Sequence, residues 1–279
     1  MKIIKTIKEF NNYRKNLEGK IGFVPTMGYL HEGHLSLMKK AKKECDIVIV
    51  SIFVNPTQFS PNEDLEKYPR DFEGDKDRCR SVKVDAIFYP EEKEMYPEEG
   101  MTTVIVEKIT KKLCGVSRPT HFQGVTTVVS KLFNIVKPNR AYFGQKDLQQ
   151  SIVIKRMVKD LNIDVNIVVC PILREDDGLA MSSRNEYLNE KERTVAPIIY
   201  ESLQLAKNMF DNGEKSVERL KLAILEKINS KISDDMGKID YVEIFDTENI
   251  NNVMKVNKGN AIALAVYLGK ARLIDNIIL

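Results

Sequence analysis

A chain of 279 residues is long enough for one large domain or two smaller ones, and 43% hydrophobic with 30% charged residues is the balance of an ordinary soluble globular protein. The formal charge of +3 is spread over lysines that alternate with glutamates, a solvated surface that points away from nucleic acid and membranes as partners. No apolar run reaches the roughly 18 residues of a membrane-spanning helix, charges interrupt the N-terminal stretch as they do not in a signal peptide, and Cys45, Cys79, Cys114 and Cys170 are too scattered for a zinc or disulfide framework.

In chain order, residues 3–18 read as a short surface helix, and residues 20–54 as strand, helix and strand. The first strand, with Ile21, Phe23 and Val24, stops at Pro25. Thr26, Met27 and Gly28 make a tight turn, and His31-Glu32-Gly33-His34 opens a helix whose Leu35, Met38 and Ala41 share one face. The second strand, IVIVSIFV, is apolar throughout, as suits a parallel strand covered on both sides. A right-handed crossover puts both C-terminal strand ends at one sheet edge. Asn55-Pro56-Thr57-Gln58-Phe59 is therefore expected beside the turn that precedes His31. Ligands of open α/β sheets bind at that edge.

Residues 60–82 read as a polar loop and then a helix carrying Asp71, Glu73, Asp75 and Asp77. VDAIFYP is the next strand, 91–100 an acidic loop and TTVIVEK a short peripheral strand. After a loop with Arg118 and His121, a helical stripe runs through Val125, Val128, Val129, Leu132, Phe133 and Val136 to Pro138. AYFG, a strand, leads through Gly144-Gln145-Lys146-Asp147 into the helix DLQQSIVIKRMVKDL. DVNIVVCPIL is a further parallel strand, and REDDGLAMSSRNEYL after it has no apolar period. From Asn189 the pattern changes to two helices, 190–211 and 215–232, and then three strands, IDYVEIF, AIALAVYLG and ARLIDNIIL. The expectation is an α/β fold: a Rossmann-like parallel-sheet domain over 1–185 and a smaller α+β lid domain over 186–279.

Of three histidines, two lie within four residues at a helix start. Unpaired N–H groups and the helix dipole suit a phosphate there, and imidazoles add donors for a phosphate that is changing bonds. The arrangement is the H-x-G-H of nucleotidyl-transferring α/β enzymes. Polar junctions at 26–34, 55–58, 144–150 and 181–184 are expected to converge on one edge, suiting a nucleoside triphosphate and a small polar second substrate.

The same residues resemble the pantothenate synthetase family, the pantoate–β-alanine ligases of coenzyme A biosynthesis. The resemblance runs in unbroken order through PTMGYLHEGH, SIFVNPTQF, NEDLEKYPR, SRPTHFQGV, YFGQKDLQQ and REDDGLAMSSRN. It implies that pantoate carboxylate attacks the α-phosphorus of ATP, giving pantoyl adenylate and pyrophosphate, and that the amine of β-alanine then displaces AMP. It further implies a homodimer, while the scattered cysteines are expected to be reduced, mostly buried thiols of a cytoplasmic protein.

By position, Met27, Gly28, Tyr29, Leu30, His31, Glu32, Gly33 and His34 match the family's first ATP-binding motif, with His34 at the place of its proton donor. Stabilisation of charge on the phosphorus and the departing pyrophosphate is the physical role favoured for both histidines. Gln58 and Gln150 match the pantoate-binding glutamines, and Gln58 also lies where β-alanine would enter. Gly144, Gln145, Lys146 and Asp147 match the second ATP motif, Lys146 as a charge for the phosphates and Asp147 for ribose hydroxyls. Leu173 matches an adenine contact made through the backbone. Met181, Ser182, Ser183 and Arg184 match a loop analogous to the KMSKS loop of class I aminoacyl-tRNA synthetases, which clamps the β- and γ-phosphates. Asn55, Tyr68 and Arg118 are further candidates for the pantoate and β-alanine pocket. Mg²⁺ is expected to travel with ATP. Relatives carry an acidic cluster linked to metal where this chain reads DFEGDKDRC, so no protein ligand is assigned, with Asp75 the nearest candidate. A nucleotidyltransferase that stops after one transfer and a non-catalytic nucleotide-binding module are the rival readings.

Overall fold

The computed structural model describes residues 1–60, 63, 65–98 and 100–279; Asn62 and Asp64 of the NEDLEKYPR motif and Glu99 of the expected acidic loop lie outside the described residues. Strands β1 (Lys2–Ile4), β2 (Ile21–Thr26), β3 (Ile47–Ile52), β4 (Ala86–Phe88), β5 (Arg140–Gly144) and β6 (Asn166–Cys170) form one sheet. Its order is β1-β4-β3-β2-β5-β6 and every pairing is parallel. The chain moves outwards from β2 through β3 and β4 on one side, and through β5 and β6 on the other. The strand order thus reverses at β2, the kind of switch point where open sheets bind ligands.

Helices α1 (Ile7–Lys15), α2 (Glu32–Glu44), α3 (Phe72–Ser81), α4 (Glu92–Met95), α5 (Cys114–Ser117), α6 (His121–Val136) and α7 (Leu148–Asp160) accompany the sheet. Alternate residues of β2 face opposite layers. Phe23 meets Phe133 of α6 edge-on, while Val24 joins Leu35, Met38 and Ala41 of α2 in one buried cluster. That is why β2 and β3 are apolar without alternation.

Several local expectations change. The helix expected over 3–18 begins only at Ile7, because the hydroxyl of Thr6 accepts from the Glu9 N–H as an N-cap, and Lys2–Ile4 pairs with β4 instead. A single helical turn, α4, interrupts the expected acidic loop. TTVIVEK is not a strand: the Val104 N–H donates to Thr127 Oγ1 and its carbonyl accepts from Thr126 Oγ1, so threonines of α6 replace a neighbouring strand. His121 is the first residue of α6, not part of the loop before it.

The chain divides into two compact units. One comprises Met1–Gly144 with Gln149–Pro171, the other Gln145–Leu148 with Ile172–Leu279. In the second, α8 (Glu190–Val195), α9 (Ile198–Asp211) and α10 (Val217–Asn229) accompany an antiparallel sheet, β7 (Gly237–Phe245), β8 (Ala261–Leu268) and β9 (Ala271–Ile278), in that order. The helix expected over 190–211 is two helices, broken at Ala196-Pro197, where proline supplies no N–H. Leu203, Leu220, Ile224, Ile228, Leu264 and Val266 share its core, each contributing about 1.5–3 kcal/mol by burial. Leu179 joins that core, so residues 172–185, expected with the N-terminal domain, group with this unit.

Candidate active site

The turn after β2 uses its own side chains to hold its backbone. Thr26 Oγ1 donates to the Ser51 carbonyl (2.8 Å) and accepts from the Gly28 N–H (3.2 Å). The N–H groups of Tyr29 and Leu30 donate to the two oxygens of Asp75, at 2.9 and 2.6 Å. His31 is the N-cap of α2, its Nδ1 accepting from the Gly33 N–H at 3.1 Å, and His34 Nδ1 accepts from the His31 N–H at 3.3 Å. Together they form a capping box built of two imidazoles. The helix start therefore does not present all of its N–H groups to a ligand, as the sequence pattern suggests; the histidines take two of them.

This cap has a chemical consequence. An Nδ1 that accepts an N–H keeps its lone pair, so each neutral ring carries its proton on Nε2. The two half-buried rings lie 4.1 Å apart between centroids, tilted by 46°. The cap thus makes each Nε2 a hydrogen-bond donor.

The β3 end meets this turn. Gln58 is buried, and its Nε2 reaches Met27 Sδ at 3.0 Å. Asn55 Nδ2 donates to Gln58 Oε1 (3.2 Å) and to the Gly124 carbonyl (3.2 Å), while the hydroxyls of Tyr96 and Thr57 donate to Asn55 Oδ1. Gly124 has to be glycine, since a Cβ there would fall 2.4 Å from the Thr57 carbonyl oxygen. The Gln58 carbonyl is approached by Arg118 Nη2 (3.3 Å) and His121 Nδ1 (3.0 Å). Arg118 also grips both oxygens of Glu63 at 2.6 Å. Burial opposes the Glu63 charge, but the guanidinium prevails and holds that carboxyl below its usual range. Tyr68 is buried edge-on against Phe59. Asn55 and Arg118 thus bear on Gln58 directly.

The adjacent glutamines of α7 differ. Gln149 is buried and fully engaged: Oε1 accepts from the Cys114 N–H (3.0 Å), and Nε2 donates to the carbonyls of Ile109 (3.0 Å) and Lys112 (2.7 Å). Gln150 is only partly buried.

The second unit holds Gln145, Lys146, Asp147, Leu173 and Met181 to Arg184, while Gly144 ends β5 in the first. Asn276 of β9 donates from Nδ2 to the carbonyls of Gln145 (2.9 Å) and Lys146 (3.0 Å), and its Oδ1 accepts from Gln145 Nε2 (3.2 Å). Lys146 and Ser182 line one small cavity with Asn185 and Asp275. Residues 173–181 fold back on themselves: the Met181 N–H donates to the Leu173 carbonyl (3.1 Å), and Arg174 bridges to Ala180. The Ser182 hydroxyl accepts from the Arg184 N–H at 3.3 Å and caps the short 3₁₀ turn Ser183–Tyr187. Arg174 stacks on Tyr200 (3.5 Å to the ring centre) and donates to both oxygens of Asp275, at 2.6 and 3.0 Å. Burial pushes the Asp275 carboxyl up, and the guanidinium opposes it.

Two residues have roles that escape a reading of the sequence. Asn276 is not singled out by any motif, although the polar pair Asp275-Asn276 inside ARLIDNIIL, each 2% exposed, is a visible break in an apolar strand. Asp75 is singled out in the sequence only as the nearest metal candidate, which says nothing of its hold on the Tyr29 and Leu30 backbone. No group of three or more histidine, cysteine, aspartate or glutamate side chains able to hold a metal ion occurs among the described residues, and no helix there is long and apolar enough to cross a membrane.

A family model described as pantoate-beta-alanine ligase matches residues 2–278. The chain belongs to the pantoate-beta-alanine ligase family. The pantothenate synthetase of Caldicellulosiruptor bescii is 58% identical over 281 residues, covering 100% of this chain and 99% of that protein. The crystal structure of pantothenate synthetase from Thermus thermophilus is similar with a TM-score of 0.94 at 43% identity, covering 100% of this chain and 99% of the other. That of the Francisella tularensis pantoate-beta-alanine ligase, complexed with beta-gamma ATP and beta-alanine, is similar with a TM-score of 0.82 at 43% identity, covering 100% and 97%.

Proposed function

We propose that the protein condenses pantoate with β-alanine at the expense of ATP, with the residues above in the roles that follow. The observation that carries the reading is the self-capped histidine pair, in the turn whose Met27 is reached by Gln58, in a chain that matches its family over residues 2–278. In the first step a pantoate carboxylate oxygen bonds to the α-phosphorus, the bond to the bridging oxygen breaks, and pyrophosphate leaves. In the second, the β-alanine amine bonds to the acyl carbon, the carbon–oxygen bond to AMP breaks, and the amine loses a proton. Activation as an adenylate is needed because a free carboxylate is a poor acyl donor.

His31 and His34 donate from Nε2 to phosphate oxygens as negative charge moves onto pyrophosphate. A hydrogen bond from a neutral ring suffices, since neither bond change requires a proton at phosphorus. Gln58 and Gln150 bind pantoate oxygens without adding charge, and Gln58 also faces β-alanine. Met27 to His34, Gly144 to Asp147, Leu173 and Met181 to Arg184 bind ATP. Lys146 and Arg184 supply positive charge, Ser182 and Ser183 hydroxyls. Mg²⁺ arrives as part of the nucleotide substrate. The active form is a homodimer, a part of the reading that rests on resemblance; its place is the cytoplasm, as its reduced thiols suggest, and the C-terminal unit is its lid.

The test is product release. ATP with pantoate alone should release pyrophosphate, and AMP with pantothenate should appear only once β-alanine is added. Equal pyrophosphate release without pantoate would sink the reading.

A further inference from the structure

The backbone from Gly28 to Leu30 is one that few residues adopt, with φ of +86° at Gly28 and +50° at Tyr29. A non-glycine residue in the left-handed region costs about 1–2 kcal/mol, so something has to hold it. The holder comes from another element. Asp75 sits in the first turn of α3, is 1% exposed, and directs one oxygen at the Tyr29 N–H and the other at the Leu30 N–H. Gly28 makes the approach possible, because a Cβ there would lie 2.9 Å from Asp75 Oδ2 and 3.0 Å from Ile52 Cγ2. The acidic neighbours on the same helix, Glu73 and Asp77, are exposed and ion-paired to Lys76 and Arg80. Only Asp75 is buried, and both of its oxygens are spent on backbone.

We propose that Asp75 is a positioning residue for the nucleotide-binding turn: by fixing the N–H groups of Tyr29 and Leu30 it sets where α2 begins, and with it the aim of the His31 and His34 rings. It acts through backbone and not as a metal ligand. The inference rests on the reading of residues 27–34 as an ATP site.

Asp75→Asn keeps the shape but places an NH₂ donor against one N–H donor. Losing one buried, charge-assisted hydrogen bond should weaken ATP binding about tenfold, with less than a twofold change for pantoate. Gly28→Ala should do the same with Asp75 in place, by displacing its carboxylate, and the double variant should be no weaker than the worse single one. His31→Ala separates the two ideas. If it weakens ATP binding while Asp75→Asn and Gly28→Ala do not, the positioning role is overturned. If His31→Ala also leaves ATP binding unchanged, the turn is not the nucleotide site and both ideas fall. Recovery of Asp75→Asn by raised Mg²⁺ would make Asp75 a metal ligand and overturn the proposal; positioning expects no recovery.

Discussion

Two regions carry the candidate ATP contacts, and they are held in different ways. The turn after β2 is secured by Thr26, His31 and His34, side chains within three residues of the N–H groups they serve, with Asp75 as a distant anchor. In the C-terminal unit, Gln145 and Lys146 are secured by Asn276, about 130 residues away in the chain, and the fold-back at 173–181 by the buried Arg174–Asp275 pair. In the first region the groups proposed to react are also the groups that cap the helix. In the second, the long-range supports Asn276, Arg174 and Asp275 have no proposed chemistry, although Ser182 also caps its own short turn. A change in the first should therefore register mainly in catalysis, and a change to the supports of the second mainly in stability.

The sharpest way to break that contrast is His34→Ala. Adenylation in a single turnover is expected to fall roughly 10²–10³-fold, as for loss of one donor to developing charge. The accompanying loss of one helix cap costs only about 1 kcal/mol of stability. Near-normal adenylation would remove His34 from the mechanism. Next comes Asp275→Asn. It leaves the Arg174 guanidinium with a neutral partner and should cost about 3 kcal/mol, the lower end of the range for a broken buried pair because the Arg174 side chain is 17% exposed. Urea unfolding followed through the C-terminal unit measures it. A shift corresponding to less than 1 kcal/mol would show that the fold-back at 173–181 does not depend on this pair.

The same contrast explains what is legible in the sequence. β2, α2 and β3 announce themselves through continuous apolar runs and a helical stripe, and the H-x-G-H turn through residues adjacent in the chain. Lys2–Ile4 is misread because its partner strand is more than 80 residues away and three residues carry no period of their own. TTVIVEK is misread because its run of β-branched residues is the local pattern of a strand, while the threonines that replace a partner strand lie on α6. Among Asp71, Glu73, Asp75 and Asp77 the sequence sets Asp75 apart only as the nearest metal candidate, not as a buried residue. Packing alone decides that Asp75 is the buried one, and burial pushes its carboxyl up against the pull of the two backbone N–H groups.

Neighbouring glutamines give a finer test. Gln150→Ala should raise the KM for pantoate about tenfold, the worth of one or two hydrogen bonds, and leave that for ATP nearly unchanged. Gln149→Ala should do the opposite of a binding-site variant. Its three bonds tie the Ile109–Cys114 segment to α7, so stability should fall while pantoate affinity in the folded enzyme holds. Equal rises in both KM values for Gln150→Ala would dismiss it as a pantoate ligand.

The smallest effect concerns the other end of α2, where the support is again long-range. Glu44 in its last turn accepts from Lys40, and across to β5 from Tyr142 (2.9 Å) and Arg140 (2.7 Å). The Lys40 hydrogen bond, followed by that of Tyr142, holds the Glu44 carboxyl down at about 2. Because the folded value lies below the unfolded one, the ionised group contributes stability above the ordinary carboxylate pKa of 4.5, and that contribution is lost as pH falls from there towards about 2. Glu44→Gln cannot titrate. Its urea midpoint should lie below that of the parent at neutral pH and converge with it on acidification. A gap that stays constant through the acid range would mean that Glu44 ties α2 to β5 by shape and hydrogen bonding alone, with its charge playing no part.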